Sequence, residues 1–420
     1  MWCWSLVALS LMLVDTASAE PFNDAIAAYQ RKDYATALLL FRSLAEQGNA
    51  KAQGNLGVMY SKGEGVPQNY AEGMKWYRRA ADQGDAHAQY NLGVRYDHGV
   101  GVAQDYAEAL KWYRLAAAKG DVLAHGNLGV MYANGHGLPQ DFAMAVPEFR
   151  FGAERGEAQS EDNLALMYLG GHGVPQDEAE AVRWFTLAAR QGNAQAQYNL
   201  GVKYAQGEGV GQDYGEAIKW YGLAADQGYA EAENNLGGMY ESGLGVAQDY
   251  VVAVRWFRAA ALHNNAKAET NLGIMYANGK GMTQDFAEAR KWFERGADHG
   301  EVKAQRNLGA LYATGRGVPQ NYVEAAKWYG LAAKRGDEAS GSILERIRTV
   351  QARQSAPPDM RGARAPIPSA PQPSLTRIEP TMFRLSSPVM EQRTIHIGPP
   401  PAVAFHPMGG MMGGMHFGRR

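Results

Sequence analysis

The sequence predicts an all-α fold, a solenoid of antiparallel helix pairs followed by a disordered C-terminal tail. The first observation is a repeat. The tripeptide Asn-Leu-Gly returns at steps of 36 residues in seven copies, and an eighth copy reads Asn163-Leu164-Ala165. The second observation is that each copy holds two segments with apolar residues at helical spacing, separated by a glycine-containing loop. A fixed period of this length in a helical pattern is typical of a stacked repeat array.

The N-terminal segment has the pattern of a secretory signal peptide. An apolar run over residues 6–14 precedes Ala17-Ser18-Ala19 and is too short to span a bilayer, so we predict cleavage before Glu20. The mature chain would then be exported, periplasmic or secreted, with no membrane span. The single cysteine, Cys3, lies in this segment, and its removal would exclude disulfides and cysteine catalysis.

The rest of the chain divides by its period. Residues 20–48 are predicted to form an atypical N-terminal helix pair, because one face of a terminal repeat meets solvent. Eight 36-residue units follow over residues 49–336, and residues 337–354 form a predicted C-terminal capping helix. Residues 355–420 are rich in Pro, Met, Gly and Arg without a helical period, which predicts disorder.

The second unit shows how each helix pair is specified. Gly93 in the first helix is predicted to bring helices close, and the aromatic pair Trp112 and Tyr113 of the second helix is predicted to fill the space between neighbouring units. Asp105 is the predicted N-cap of the second helix, and Glu108 three residues later resembles a capping box. Gly120 is predicted to end that helix in the left-handed conformation. Since such a pair cannot bury its own apolar stripe, stacking is obligatory.

The strings Ala-Gln-Tyr-Asn-Leu-Gly-Val, Gly-x-Gly-Val, Gln-Asp-Tyr, Lys-Trp-Tyr and Ala-Ala within residues 194–225 resemble the Sel-one-like repeat (SLR) family, a branch of the tetratricopeptide superfamily. The resemblance covers residues 49–336 in eight copies. It implies a right-handed α-solenoid whose concave face is lined mainly by first helices. It also implies a scaffolding role, similar to that of bacterial members that act as envelope adaptors, signalling modulators and polysaccharide-assembly proteins.

An asparagine column is the first candidate site. Asparagine is only a modest helix former, yet it occupies one position in all eight first helices. A row of amides on a concave face could bind the backbone of an extended peptide. Alternatively, each amide bonds a neighbouring helix or loop and fixes the stacking angle. The residues are Asn55, Asn91, Asn127, Asn163, Asn199, Asn235, Asn271 and Asn307.

Repeats three and four are the second candidate site. Pro147 inside a second helix predicts a kink, and residues 141–180 carry a net charge of −7. One interpretation is a bent acidic docking site for a basic partner, including the chain's own tail, whose residues 353–420 carry +5. The other is drift in a tolerant unit with solvated charges. The acids singled out are Glu148, which replaces a tryptophan, Glu161, Asp162 and Glu178, which replaces an aromatic residue.

We predict no catalytic constellation, metal or cofactor in the array. His136 and His172 occupy one loop position that unlike residues fill in other units, which favours an exposed and variable position over a metal site. The tail methionines and histidine are interpreted as a low-complexity end with accidental methionines, and the alternative is a site of soft ligands suited to Cu(I). These tail residues are Met408, Met411, Met412, Met415 and His416.

The predicted function is that of a non-enzymatic scaffold or adaptor of the bacterial cell envelope, which binds a protein or peptide on the concave face. A net charge of −2 gives no reason to expect nucleic acid or an anionic membrane as partner. The alternatives are a regulatory subunit of an envelope signalling system, or a β-lactam-binding protein like a cysteine-rich branch of the family. First-helix residues that differ between copies were expected to carry specificity: Tyr90, Asp162, Tyr198, Asn234, Thr270 and Arg306.

Overall fold

The structure, a computed structural model, describes residues 21–355, which form nineteen helices and no strand. The signal peptide, the tail and the tail methionines lie outside the described residues. Helix α1 covers 21–30. The first helices of the eight repeats are α3 (Ala50–Lys62), α5 (Ala86–His98), α7 (Val122–Asn134), α9 (Ala158–Gly170), α11 (Ala194–Gln206), α13 (Ala230–Ser242), α15 (Ala266–Asn278) and α17 (Val302–Thr314).

The second helices alternate with them along the chain. They are α4 (Tyr70–Asp82), α6 (Tyr106–Ala117), α8 (Phe142–Ala153), α10 (Glu178–Arg190), α12 (Tyr214–Ala225), α14 (Tyr250–Leu262), α16 (Phe286–Asp298) and α18 (Tyr322–Lys334). Before and after the repeats stand α2 (Tyr34–Glu46) and α19 (Glu338–Ser355). The described chain forms two units that divide after Gln176, and within each unit every helix from α2 onward packs on the next helix along the chain. The predicted all-α architecture of stacked helix pairs is confirmed.

The second helices begin where the sequence places them. The predicted N-cap residue accepts a hydrogen bond from a backbone N–H of the first turn in every one of them, as Asp105 does from Ala107 and Glu108. The predicted capping box does not form. The backbone N–H of Asp105 already donates to Tyr96, so the Glu108 carboxylate instead accepts from Lys111 and Trp112.

Helix ends follow the predicted chemistry as well. Gly120 has a φ of +83°, and Asn264, the one non-glycine at that position, has a φ of +59°. Helix α8 continues through Pro147 and keeps the twelve-residue length of α6 and α12, so the proline does not interrupt it. A bend of its axis stays a prediction.

A close contact between glycine and an aromatic ring holds the helix pair together in seven of the eight repeats, and repeat four has Ala165 at this place. A Cβ atom built on Gly93 would lie 2.5 Å from the ring of Tyr113, and one on Gly201 would lie 2.7 Å from that of Tyr221. These rings are fully buried. Only a residue without a side chain lets the first helix approach a ring so closely.

The tryptophans join each pair to the preceding one. Trp112 of the second repeat packs in a cluster with Tyr77 and Ala80 of the first repeat, and Trp256 of the sixth packs with Tyr221 of the fifth. At the C-terminal end, α19 completes the last cluster with Leu344 and Ile347. The apolar face of one pair is therefore covered by its neighbour, as stacking requires.

Gly201→Ala and Gly222→Ala form a matched pair in one repeat. A methyl group on Gly201 overpacks the Tyr221 ring, which we expect to lower the free energy of unfolding by about 1–3 kcal/mol. No atom lies within 4 Å of a Cβ on Gly222, so that substitution should raise it by about 0.5–1 kcal/mol through helix propensity alone. Urea denaturation measures both. Equal effects would show that the glycine contact does not set the spacing of the pair.

Candidate partner-binding surface

The first helices expose one recurrent stripe. In α3, Lys51 and Lys62 are exposed and Asn55 is half-buried, while 52–54 and 56–59 are buried. We call these positions and their equivalents in the other repeats the first-helix stripe. Tyr60 also reaches solvent, but its hydroxyl is turned to the Arg42 guanidinium of the preceding helix pair.

The asparagine column lies at the centre of this stripe and is mostly enclosed. Five of its eight members, Asn91, Asn163, Asn199, Asn235 and Asn307, are at most 8% exposed. The Asn91 amide donates to the backbone oxygen of His87 (2.9 Å), and the Asn271 amide donates to Asn234 of the preceding first helix (2.9 Å). The bond of Asn271 joins two repeats and fits the stacking interpretation, whereas that of Asn91 lies within one helix. Peptide binding by the column stays a prediction.

The variable residues one position earlier are also enclosed. The Tyr198 ring lies 5.9 Å from that of Tyr221 and 5.2 Å from that of Tyr229, centroid to centroid. Tyr90, Asp162, Asn234 and Thr270 are likewise buried, and Arg306 forms an ion pair with Asp337. This column fills space inside the helix packing, and its variation adjusts packing between repeats.

The four acids singled out in repeats three and four do not form one exposed patch. Glu161 and Asp162 are 3% and 0% exposed. Glu148 pairs with His125 (2.5 Å) and Glu178 pairs with Lys203 (2.6 Å). Because the tail lies outside the described residues, its docking on this region stays a prediction.

Glu178 has a partner that the sequence reading missed. Lys203 is 1% exposed, and its ammonium contacts the carboxylates of Glu178 (2.6 Å) and Glu208 (2.9 Å). In the following repeat the equivalent residues are Tyr214 and Met239, which pack in one apolar cluster. The ion pair therefore replaces an aromatic–methionine contact. The paired change 25 residues apart was visible in the sequence once the repeats were aligned.

His125 and Glu148 form a second compensated pair. His125 stands where most repeats have glutamine or glutamate, and Glu148 where they have tryptophan. The His125 Nδ1 lies 2.5 Å from the Glu148 carboxylate, and its Nε2 lies 3.1 Å from the backbone oxygen of Ala117. Since both ring nitrogens lie against oxygen atoms, neither is left free to act as a catalytic base.

The loop position of His136 and His172 is not simply exposed, which corrects the sequence expectation. The His136 ring stacks on Tyr106 at 4.8 Å, and the His172 ring stacks on Phe142 at 4.5 Å. Each aromatic residue begins the second helix of the preceding repeat. Lys280 lies over the ring of Tyr250 in the same way. This position therefore attaches each loop to its neighbour.

The polar residues at the start of the first helices were also missed. Gln53, Gln89 and Gln197 are buried, and each side-chain amide donates to a backbone oxygen eight residues earlier, at 3.0–3.1 Å. In repeats six and seven glutamate takes this place and pairs with a histidine instead, as Glu233 does with His263. The glutamine contacts satisfy carbonyl groups at the ends of second helices.

The described residues contain no group of three or more His, Cys, Asp or Glu that could bind a metal ion. None of the helices within residues 21–355 is both long and apolar enough to cross a membrane.

Replacement of Lys203 by methionine tests the compensated pair. Lys203→Met alone leaves Glu178 and Glu208 beside an apolar side chain, and we expect it to lower the free energy of unfolding by about 1–3 kcal/mol. Adding Glu178→Tyr restores the pattern of the neighbouring repeat, so the double variant should return to within about 1 kcal/mol of the parent. If urea denaturation shows that the double variant is no more stable than Lys203→Met alone, the prediction is contradicted.

Asp97 gives a pH-dependent prediction. Burial raises the pKa of this carboxyl, which accepts from the Tyr113 hydroxyl at 3.2 Å. A raised pKa in the folded state means that stability is lost as pH rises through it. Asp97→Asn should therefore raise Tm at pH 7, with a gain that shrinks toward pH 4. Calorimetry of this variant, with Asp82→Asn at an exposed position as the control, measures the change in Tm. A gain in Tm that grows as the pH falls would contradict the prediction.

The sequence model of the Sel1 repeat matches the chain in nine intervals: residues 28–49, 50–85, 86–121, 122–146, 158–193, 194–229, 230–265, 266–301 and 302–337. The match leaves a gap at residues 147–157, which begins at Pro147 of α8. Comparison with curated protein sequences gave no match.

Two solved structures resemble this chain closely enough to support the same assignment. The protective antigen c5321 of uropathogenic Escherichia coli, which displays an SLR fold, is 30% identical, with 81% of each chain covered and a TM-score of 0.52. A Sel1 repeat protein from Oxalobacter formigenes is 35% identical over 74% of this chain and 90% of that one, with a TM-score of 0.56. The chain therefore belongs to the Sel1 repeat family, whose fold typically serves as a protein-interaction scaffold.

Proposed function

We propose that the protein is an exported, non-enzymatic scaffold or adaptor of the bacterial cell envelope that binds an extended peptide segment of another protein along the first-helix stripe. The observation that carries this proposal is the stripe itself. It repeats an amide at a fixed place beside an exposed position that changes from repeat to repeat. The exposed position can read the side chains of a peptide locally, and the half-buried amides of Asn55, Asn127 and Asn271 are placed to bind its backbone.

The exposed changing position is the natural source of specificity. It lies four residues before each asparagine, and its members are exposed or half-buried, whereas the column at Tyr90 and Tyr198 is almost wholly buried. The members are Lys51, His87, Leu123, Gln159, Gln195, Glu231, Lys267 and Lys303. We therefore expect these exposed residues to determine specificity, and not the buried residues one position before each asparagine.

Repeats seven and eight give this part of the stripe a positive charge. Lys267 and Lys303 are exposed, and no carboxylate of the described residues forms an ion pair with either. Partial burial lowers the pKa of Lys303; the nearby Glu301 carboxylate acts in the opposite direction, and the like charges of Arg306 and Lys267 lower the pKa further. A peptide carrying acidic residues opposite these repeats would relieve that repulsion.

The envelope location rests on the signal-peptide pattern of residues 1–19. The non-enzymatic role is supported by the family and by the occupied nitrogens of His125. A regulatory subunit of an envelope signalling system would use the same stripe for its partner and is one form of this function.

Selection of peptides from a random display library on the mature chain, residues 20–420, tests the proposal. We expect enriched peptides to bear acidic residues. Lys267→Glu with Lys303→Glu should weaken their binding at least about tenfold in fluorescence anisotropy, because two attractive charges become repulsive.

The control is Lys291→Glu with Lys327→Glu, which makes the same charge change on the second helices of the same two repeats. It should leave the affinity unchanged. Equal losses in both double variants would indicate a general charge effect, and enrichment of peptides without acidic residues would remove the proposed specificity.

A further inference from the structure

The outer face of α8 differs from that of the other second helices. Six of these helices carry an ion pair between a glutamate in the first turn and a Lys or Arg three residues later: Glu72–Lys75, Glu108–Lys111, Glu180–Arg183, Glu216–Lys219, Glu288–Lys291 and Glu324–Lys327. In α14 these two places are taken by Val252 and Arg255, so that helix also lacks the pair but keeps the cation, whereas in α8 both places are apolar, with Met144 and Pro147. A charged surface has become apolar in one repeat.

These apolar residues are presented to solvent together. Met144 is 45% exposed, Pro147 is exposed and Phe151 is half-buried. Their spacing of three and four residues puts them on one stripe of the helix. The family match stops at residue 146 and resumes at 158, so this surface coincides with the segment that departs from the repeat pattern.

Phe151 is held rigidly at the end of this stripe. The His125 ring centroid lies 3.6 Å from that of Phe151, and the Arg155 guanidinium carbon lies 3.5 Å from it. Two groups this close to one centroid must cover opposite faces of the ring, which leaves the edge of Phe151 for solvent. An aromatic side chain fixed in this way loses little entropy when a partner binds it.

The charges at the two ends of the stripe complement each other. Asp141 lies at its N-terminal end and Arg155 at its C-terminal end, and both are exposed. In an antiparallel pair of α8 helices, Met144 of one copy would face Phe151 of the other, and Asp141 would face Arg155. The first pairing is centred between Pro147 and Glu148 and the second on Glu148, so the two centres differ by half a residue, or about 0.75 Å along the helix. The stripe is therefore complementary to itself under twofold symmetry.

We propose that a second copy of this chain binds here, through antiparallel pairing of two α8 helices. The apolar residues form the centre of the contact and the Asp141–Arg155 pairs form its rim. One helical stripe is smaller than the roughly 800 Å² per partner of a standard interface, so the dimer is weak and depends on concentration. Two copies would present two first-helix stripes, which raises the apparent affinity for a partner with repeated binding segments.

Sedimentation velocity of the mature chain from about 1 to about 200 µM tests the proposal. The parent should form dimers within this range. Met144→Glu with Pro147→Lys introduces the ion pair of the other second helices and should raise Kd at least about tenfold while α8 keeps its helical signal. Val252→Glu makes the equivalent first change on α14 and should leave Kd unchanged. A parent that stays monomeric, or a double variant that dimerises equally well, would overturn the proposal.

Mixing of charge variants tests the antiparallel register. Asp141→Lys and Arg155→Glu each place like charges at both rim contacts of a homodimer, so each alone should dimerise weakly. In an equimolar mixture the heterodimer has two attractive contacts, and dimer formation should recover. Asp141 also caps α8, so Asp177→Lys on α10 controls for the loss of a cap. Mixtures that remain monomeric while the parent dimerises would exclude this register.

Discussion

The contact between a glycine of the first helix and an aromatic ring of the second helix, present in seven of the eight repeats, is the constraint on which the packing depends. Because Gly93 has no side chain, the helix backbone lies directly on the Tyr113 ring, and this sets the spacing within the pair. The tryptophan side of the second helix is then left uncovered. Only the preceding pair covers it, as Tyr77 does for Trp112. Folding of one pair therefore depends on its neighbour, which is why the same residues recur in every copy.

The constraint also explains how the chain tolerates departures from its pattern. A change at one contact is matched by a change at the facing position, because an unmatched polar group inside the packing is costly. Glu178 in an aromatic position is accompanied by Lys203 in a methionine position, and Glu148 in a tryptophan position by His125. Part of the negative charge of repeats three and four is therefore paired with cationic or histidine side chains within the packing. Surface charge counted from the sequence overstates what a partner would meet there.

Two surfaces do not take part in these internal contacts. The first-helix stripe keeps an amide at a fixed place and varies its exposed neighbour, and the outer face of α8 exchanges an ion pair for Met144 and Pro147. Neither surface brings together a nucleophile, a base and a group that could stabilise an oxyanion. Both offer shape, apolar area and charge, which are the properties of binding surfaces. The two are carried by different helices, so partner binding and self-association can occur in the same molecule.

The sequence by itself determined the period, the start of the second helices at caps such as Asp105 and the close helix approach at Gly93, because these features depend on local spacing that each copy repeats. The contact of Gly93 with the Tyr113 ring was seen only in the structure. The tertiary structure decided which polar residues are available to a partner. Tyr198 and Asp162 are variable yet buried, His136 stacks on a ring thirty residues earlier, and Glu108 bonds forward along its helix and not back to the cap. Exposure at these positions depends on side chains from neighbouring helices. How closely those side chains approach is set by the packing angle between helices, which cannot be predicted from the spacing of residues within one helix.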